Sequence, residues 1–252
     1  MNDDDVGAAV ALSESATWNQ TDLDWYRLFR LSNCFGIEVE EQLVASVSVT
    51  CYGSDLAWIG MVLTLPEQRG KGYASQLMTY ATDFALGRGI KCIKLDATEL
   101  GAPVYRKFGF EDECAVERWK GGSVRPAIEG SVGPVNWDLD RAAFGADRKA
   151  VLTGHNYRVE DQAHAFLRGG RLAKQFGPCV ATTPEAAARL ANFGTAYGPT
   201  FWDLFPGNPQ AVQLAHSFGF TPARKLLRMS YQGRDLDQDP EKIYALAGFE
   251  WG

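Results

Sequence analysis

Apolar and polar positions alternate along the chain in runs that predict an ordered series of helices and strands. Ser13 to Phe35 reads as helical, with Leu23, Tyr26, Phe29 and Arg30 at three- and four-residue steps and Thr21 or Asp22 able to cap the start. Gln42 to Tyr52 alternates around Val44, Val47 and Val49, a strand signal, and Gly53-Ser54-Asp55 follows as a turn. Trp58 to Leu65 is an unbroken apolar run, the mark of a strand buried on both faces. A glycine-bearing segment, Gln68 to Ala74, leads into a helix over Ser75 to Gly87, whose apolar face is Leu77, Met78, Ala81, Phe84 and Ala85. Ile90 to Ala97 predicts a strand and Pro103 to Phe108 a short helix stopped by Gly109.

Residues 121–135, rich in Gly, Ser and Pro, form the best linker. Beyond it the order recurs. Asp138 to Leu152 is helical, and Gln162 to Phe176 holds two strands around Gly169-Gly170. Pro184 to Phe193 is a helix, Thr200 to Phe205 a strand and Pro209 to Ser217 a short helix. Phe108-Gly109-Phe110 returns 110 residues later as Phe218-Gly219-Phe220, and each copy follows a strand with an aspartate, Asp96 or Asp203. Matching element order around a central linker favours a tandem repeat of one α/β fold, residues 1–125 and 126–252. One larger domain with a chance tripeptide match is the alternative.

Composition narrows the function. The chain has 252 residues, 46% apolar, with 25 basic and 31 acidic side chains. The excess of acid lies entirely in residues 1–125, and such a chain has no broad cationic face for nucleic acid. No apolar run is long enough to span a membrane, and Met1-Asn2-Asp3-Asp4-Asp5 is an acidic start unlike a signal peptide. Five scattered cysteines without a CxxC pair point to a reducing cytoplasm, and the three histidines share no ligand spacing, so no metal site is expected.

The candidate chemistry lies in the glycine segment. A buried strand that turns through glycines into a helix presents bare N–H groups at a positive helix end, which suits a pyrophosphate. A nucleotide P-loop fails here, because Gly70-Lys71 is followed by Gly72 and Leu65 stands where the first glycine belongs. A Rossmann GxGxxG fails at Ser75. What remains is Arg69-x-x-Gly72-x-Ala74 after a strand ending in Pro66.

At these residues the sequence resembles the GNAT superfamily of acyl-CoA-dependent N-acetyltransferases. Pro66 to Ala74 is similar to its pyrophosphate loop, and Tyr105 to Phe110 to its Tyr-x-x-x-Gly-Phe signature. Ile59 to Leu63 and Leu95 to Thr98, with Asp140 to Arg148, Phe176-Gly177-Pro178 and Arg228-Met229, resemble a bacterial subgroup with a second, divergent acetyltransferase-like domain. The resemblance implies an α/β (α+β) chain of tandem GNAT-like folds, each a mixed, mostly antiparallel twisted sheet flanked by helices.

It further implies that backbone groups of Val62, Leu63 and Thr64 pair with pantetheine, one of their N–H groups polarising the thioester carbonyl. Gly70, Lys71, Gly72, Tyr73, Ala74 and Ser75 would hold the pyrophosphate, with Arg69 and Lys71 as charges beside it. Tyr105 would protonate the departing thiolate; its other reading is a core aromatic. Asp96 is the best acidic candidate for the base, or else a strand-end residue capping Thr98 or Glu99. The family's acidic residue before the loop is replaced by Met61 and Val62, and its pantetheine-holding Asn by Thr98. The second copy lacks the glycine loop, is four residues shorter there, and has Ala215 at the tyrosine position.

The resemblance also places Trp18, Asn19, Gln20, Thr21 and Trp25 in the region that shapes the acceptor cleft; the other reading is that the tryptophans are core and Asn19 a cap. The expected enzyme is a cytoplasmic monomer or homodimer that moves acetyl from acetyl-CoA to a primary amine on a small molecule or peptide, without metal, nucleic acid or membrane. The alternative is a non-catalytic acyl-CoA-binding or sensory module.

Overall fold

The computed structural model describes residues 1–122 and 131–252. The 125/126 boundary and most of the linker at 121–135 lie outside the described residues.

The elements of the first half are α1 (Val6–Ser15), α2 (Asp22–Leu31), β1 (Asn33–Val39), β2 (Gln42–Tyr52), β3 (Leu56–Thr64), α3 (Tyr73–Gly87), β4 (Cys92–Ala97), α4 (Ala102–Lys107) and β5 (Phe110–Gly121). Those of the second are α5 (Trp137–Phe144), α6 (Lys149–Leu152), β6 (Asn156–Glu160), β7 (Ala163–Arg168), β8 (Lys174–Ala181), α7 (Pro184–Thr195), β9 (Thr200–Leu204), α8 (Pro209–Ser217), β10 (Thr221–Tyr231) and β11 (Ile243–Ala245).

Local chemistry explains where the elements break. The stretch expected to be helical from Ser13 to Phe35 is two helices and the start of β1. Thr17 takes φ 55°, which closes α1, and Thr21 reopens the helix with a reciprocal cap against Asp24. From Asn33 the chain pairs with β2 instead, bringing Phe35 opposite Val47. Similarly, Gly145 at φ 90° splits the stretch expected to be helical from Asp138 to Leu152 into α5 and α6. Strands β6 and β11 were not predicted.

All strands join one sheet in the order β1-β2-β3-β4-β10-β5-β9-β8-β7-β6, with β11 beside β8. The order contains an exchange. β10, from the second half, lies between β4 and β5, while β5, from the first, pairs with β9. The two exchanged strands run antiparallel to each other about a pseudo-two-fold axis, each with a one-residue bulge, at Glu113 and at Ala223.

Both faces of the sheet are covered. Leu77, Met78, Ala81 and Ala85 of α3 pack on Val47, Val49, Ile59 and Leu95. On the opposite face Trp25, Leu28 and Leu12 meet Trp58, Met61 and Leu63. Burial from both sides is why β3 is apolar throughout rather than alternating. In the second half Ala187, Leu190 and Ala191 of α7 and Ala211 and Ala215 of α8 cover Phe176, Trp202 and Leu204.

Candidate active site

β3 and β4 are parallel neighbours only as far as Trp58 opposite Lys94. Beyond that point β4 turns its pairing to β10, and the strands splay. Met61, at φ 49°, makes a bulge there, where Ser46 faces Leu63 but Ser48 faces Gly60. The Leu65 N–H donates to the Val44 carbonyl on β2, so alternation turns the backbone groups of Val62 and Thr64 away from β2 into the splay. Leu63 is buried, and its backbone faces β2.

Downstream, the chain rounds Gly70 (φ 80°) and Gly72 (φ 86°) into α3. A Cβ at either glycine would meet no atom of the other described residues within 4 Å beyond its chain neighbours and helix backbone, so left-handed backbone, not crowding, requires glycine. Gly72 caps α3 without a side chain, so the N–H groups of Tyr73, Ala74 and Ser75 have no side-chain partner among the described residues at the positive end of a 15-residue helix. Arg69 Nε donates to the Thr64 carbonyl at 3.3 Å, and Lys71 Nζ donates to Gln68 Oε1 at 2.7 Å. Both cations therefore stay at the loop.

Val62, Leu63, Thr64, Arg69 and Ala74 line one wall of a groove of about 730 Å³, with Thr98, Gly101 and Tyr105 opposite. At Val62, Thr98, Tyr105, Trp18 and Arg224 the groove adjoins a tighter pocket of about 80 Å³. The Tyr105 hydroxyl makes no hydrogen bond to another described residue, and burial pushes its phenol up to about 12. It is a neutral donor with its hydrogen uncommitted.

The inner pocket is built from both halves. Asn19, Gln20, Gly60, Met61, Asp96 and Arg118 come from the first, and Arg224, Leu226, Phe249 and Glu250 from the second. Asn19 is fastened to the second half by bonds with Leu172 and Ala173 at 2.8–3.1 Å. Trp18 and Gln20 line the pocket, whereas Trp25 is wholly buried in the core.

Asp96 has a partner that sequence reading did not supply. Both its oxygens accept from Arg228 of β10, at 2.9 and 3.0 Å, and the two side chains are 0% and 2% exposed. Burial lifts its carboxyl above the ordinary range against the pull of Arg228. The second half repeats the device: Arg118 of β5 is bidentate on Asp203 of β9, at 2.8 and 2.7 Å. Each exchanged strand thus carries an arginine that locks onto the aspartate of the opposite half. Arg118 and Arg228 stand 110 residues apart, the spacing of the Phe-Gly-Phe repeat, and that offset was the signal that could have found them.

Glu250 had no sequence signal. It reaches the pocket because the C-terminal segment crosses back over β3, with Trp58 Nε1 donating to the Phe249 carbonyl at 2.9 Å and Tyr52 to the Trp251 carbonyl at 2.6 Å. Arg168 holds the Glu250 carboxylate and also donates to Asp24.

At the related place in the second half, β8 and β9 also splay, after Phe176 opposite Trp202. There β11 fills the gap, Ile243 pairing with Val180 and Ala245 with Cys179, while the Leu246 N–H donates to the Asp203 carbonyl at 2.7 Å. The helix start is closed as well: Thr183 caps α7 by accepting from Ala186 N–H, and Pro184 has no N–H.

Comparison with known proteins identifies the family and the fold. Residues 8–110 match the acetyltransferase (GNAT) family, and residues 137–245 match a further acetyltransferase (GNAT) domain. Streptothricin acetyltransferase from Escherichia coli is 32% identical over 82 residues, 31% of this chain and 47% of that relative, so the match spans about half of the relative's length. A provisionally assigned acetyltransferase from Pyrococcus horikoshii has the same fold, with TM-score 0.85 at 20% identity over 100% of this chain and 94% of that one. A tandem GNAT protein from the clavulanic acid biosynthesis pathway gives TM-score 0.63 at 12% identity, covering 92% and 96%. The chain belongs to the GNAT acetyltransferase superfamily and carries two of its domains in tandem.

Proposed function

We propose that the first half is an acetyl-CoA-dependent N-acetyltransferase that acetylates a primary amine by direct attack, and that the second half supplies one wall of the acceptor pocket. One observation carries the reading. A free strand edge, an uncapped helix start and an uncommitted phenol lie along one groove that adjoins a pocket with acidic and basic lining.

The residues fit the co-substrate. Val62 and Thr64 offer backbone groups to pantetheine, and a Val62 N–H is suited to polarise a thioester carbonyl. The N–H groups from Gly70 to Ser75 suit a pyrophosphate, with Arg69 and Lys71 adding charge. Acetyl-CoA, when bound, supplies the acetyl group as a thioester. Tyr105 donates its proton to the departing sulfur, whose thiol pKa is near 8.5 when free.

The base is read differently from the sequence expectation. A carboxylate with both oxygens engaged by Arg228 accepts a proton poorly, so Asp96 acts as a positioning residue for β10, and water in the pocket carries the amine proton away. That same engagement of Asp96 and Glu250 by arginines favours the second reading, a non-catalytic acyl-CoA sensor.

Acetyl-CoA turnover against amines, polyamines, aminoglycosides and peptide N-termini, with calorimetry of CoA, tests the proposal. CoA binding with turnover of one class supports the enzyme. Binding without any turnover supports the sensor, and absence of binding removes both.

A further inference from the structure

We propose that Arg224 binds a carboxylate of the acceptor, so that the amine taken by this site carries an acid group close to its nitrogen, as an α-amino acid does. The inference rests on the groove and pocket reading above and names its substrate class.

Arg224 sits beside the bulge of β10, directly opposite Arg118 on β5. Two cations facing each other across a strand pair repel. Arg118 is compensated by Asp203, but no carboxylate pairs with Arg224 among the described residues. Its guanidinium is half-buried; burial and then Arg118 pull its pKa down, against the opposing pull of Asp203, which Arg118 already holds. It borders both the groove and the inner pocket at the Tyr105 junction.

The pseudo-two-fold axis separates this residue from the strand-locking arginines. Arg118 and Arg228 are equivalents and do the same work on Asp203 and Asp96. The equivalent of Arg224 is Cys114, which borders a separate pocket with Phe205 and Asn208. The extra cation therefore occurs only on the side where the groove is open and Tyr105 is present. Joining the two halves does not need it.

A second unmet group completes the pattern. Gln20 lines the inner pocket, and its side-chain oxygen is buried without a partner among the described residues. An acceptor with an N–H donor and a carboxylate satisfies Gln20 with the first and Arg224 with the second. A volume of about 80 Å³ suits such a compact head group, with the remainder of a larger molecule left in the groove. In the transfer, the amine nitrogen forms the C–N bond to the acyl carbon as the C–S bond breaks. Sulfur takes the Tyr105 proton, and the proton lost by nitrogen returns to the phenolate through water. The carboxylate is held and not consumed.

The test is calorimetry on the full chain saturated with CoA, titrated with matched pairs: glycine and methylamine, L-alanine and ethylamine, L-phenylalanine and phenethylamine. The carboxylated member should bind about 10–100-fold more tightly, as a charge-assisted pair contributes. Arg224→Gln should reduce that preference to about threefold or less, and Arg224→Lys should restore part of it. Equal affinities within every pair in the wild-type protein overturn the inference without any variant. So does a preference unchanged in Arg224→Gln, or no binding by any carboxylated member. Succinyl-CoA binding more tightly than acetyl-CoA in an Arg224-dependent way would place the carboxylate on the acyl group, and also overturns it. Failure of CoA itself to bind defeats the groove reading, whereas CoA binding without carboxylate preference defeats only this inference.

Discussion

Tyr105 and Gly72 make opposite demands on one groove. The phenol, raised to about 12 by burial, stays protonated throughout the range in which enzymes are assayed. Tyr105→Phe should therefore lower turnover by about 10²–10⁴-fold across the whole pH profile without moving its limbs, while CoA affinity stays within about threefold. Steady-state kinetics with calorimetry check both halves of that statement. Gly72 is demanded by its left-handed backbone, and Gly72→Val adds a strain of about 1–2 kcal/mol while filling the open space above the helix start. CoA should then bind at least tenfold more weakly to a protein that still folds. Unchanged affinity would remove the loop from the cofactor site. His155 gives a pH prediction of its own. Burial, with Arg27 and Arg168, pulls its imidazole down to about 4, against about 6.5 in an unfolded chain. Between those values the unfolded state binds more protons, so stability falls as pH drops through this window. Urea midpoints measured from pH 7 to 4.5 should decline, and less steeply in His155→Gln.

At the scale of elements, the exchanged strands decide what the two aspartates do. Asp96 and Asp203 each hold a buried arginine across the junction of the halves, and the second half keeps its pair although its glycine loop and tyrosine are gone. Removing one partner leaves a buried guanidinium uncompensated, at a cost of about 3–5 kcal/mol. Asp96→Asn and Asp203→Asn should thus lower unfolding stability by comparable amounts in urea titrations. A catalytic base would add a kinetic signature to that loss: Asp96→Asn alone would abolish the acidic limb of kcat/KM, which a positioning residue leaves in place. α3 and α7 form a second contrast. An uncapped helix start behind two glycines can receive an anion, while a start closed by Thr183 and Pro184 cannot.

For the whole molecule, β11 occupies the splay between β8 and β9, the place that remains a groove between β3 and β4. One CoA should bind per chain, and calorimetric stoichiometry near two would refute the self-filled slot. The exchange makes a further prediction. Without β10, the β4 edge loses its ladder from Lys94 to Ala97, and without β9 and β10 strand β5 has no partner on either side. A chain cut after residue 122 should aggregate or pair with a second copy rather than form an active monomer, which size-exclusion chromatography and acetyl-CoA turnover would show.

What the sequence determined by itself is whatever neighbouring residues settle. The strand at Gln42 to Tyr52, the glycine entry to α3, the Gly109 stop and the loss of the loop in the second copy depend on periodicity and on backbone freedom within a few positions. The repeat of Phe-Gly-Phe even signalled a tandem arrangement, which the two family matches show. Periodicity failed where a local signal interrupted it, at Thr17 and Gly145, because an apolar face can continue on both sides of a break. Tertiary structure alone decided which strand lies beside which. An exchanged strand has the same alternation as an unexchanged one, so β10 could not be assigned to the first half from its own residues. The rest of the site followed from that choice. Asp96 acquired Arg228 from 132 positions away, and Arg224 and Glu250 entered the pocket on segments far from the glycine loop. Charges brought together by folding, with burial setting their cost, fix the roles of these residues, and no spacing along the chain encodes them.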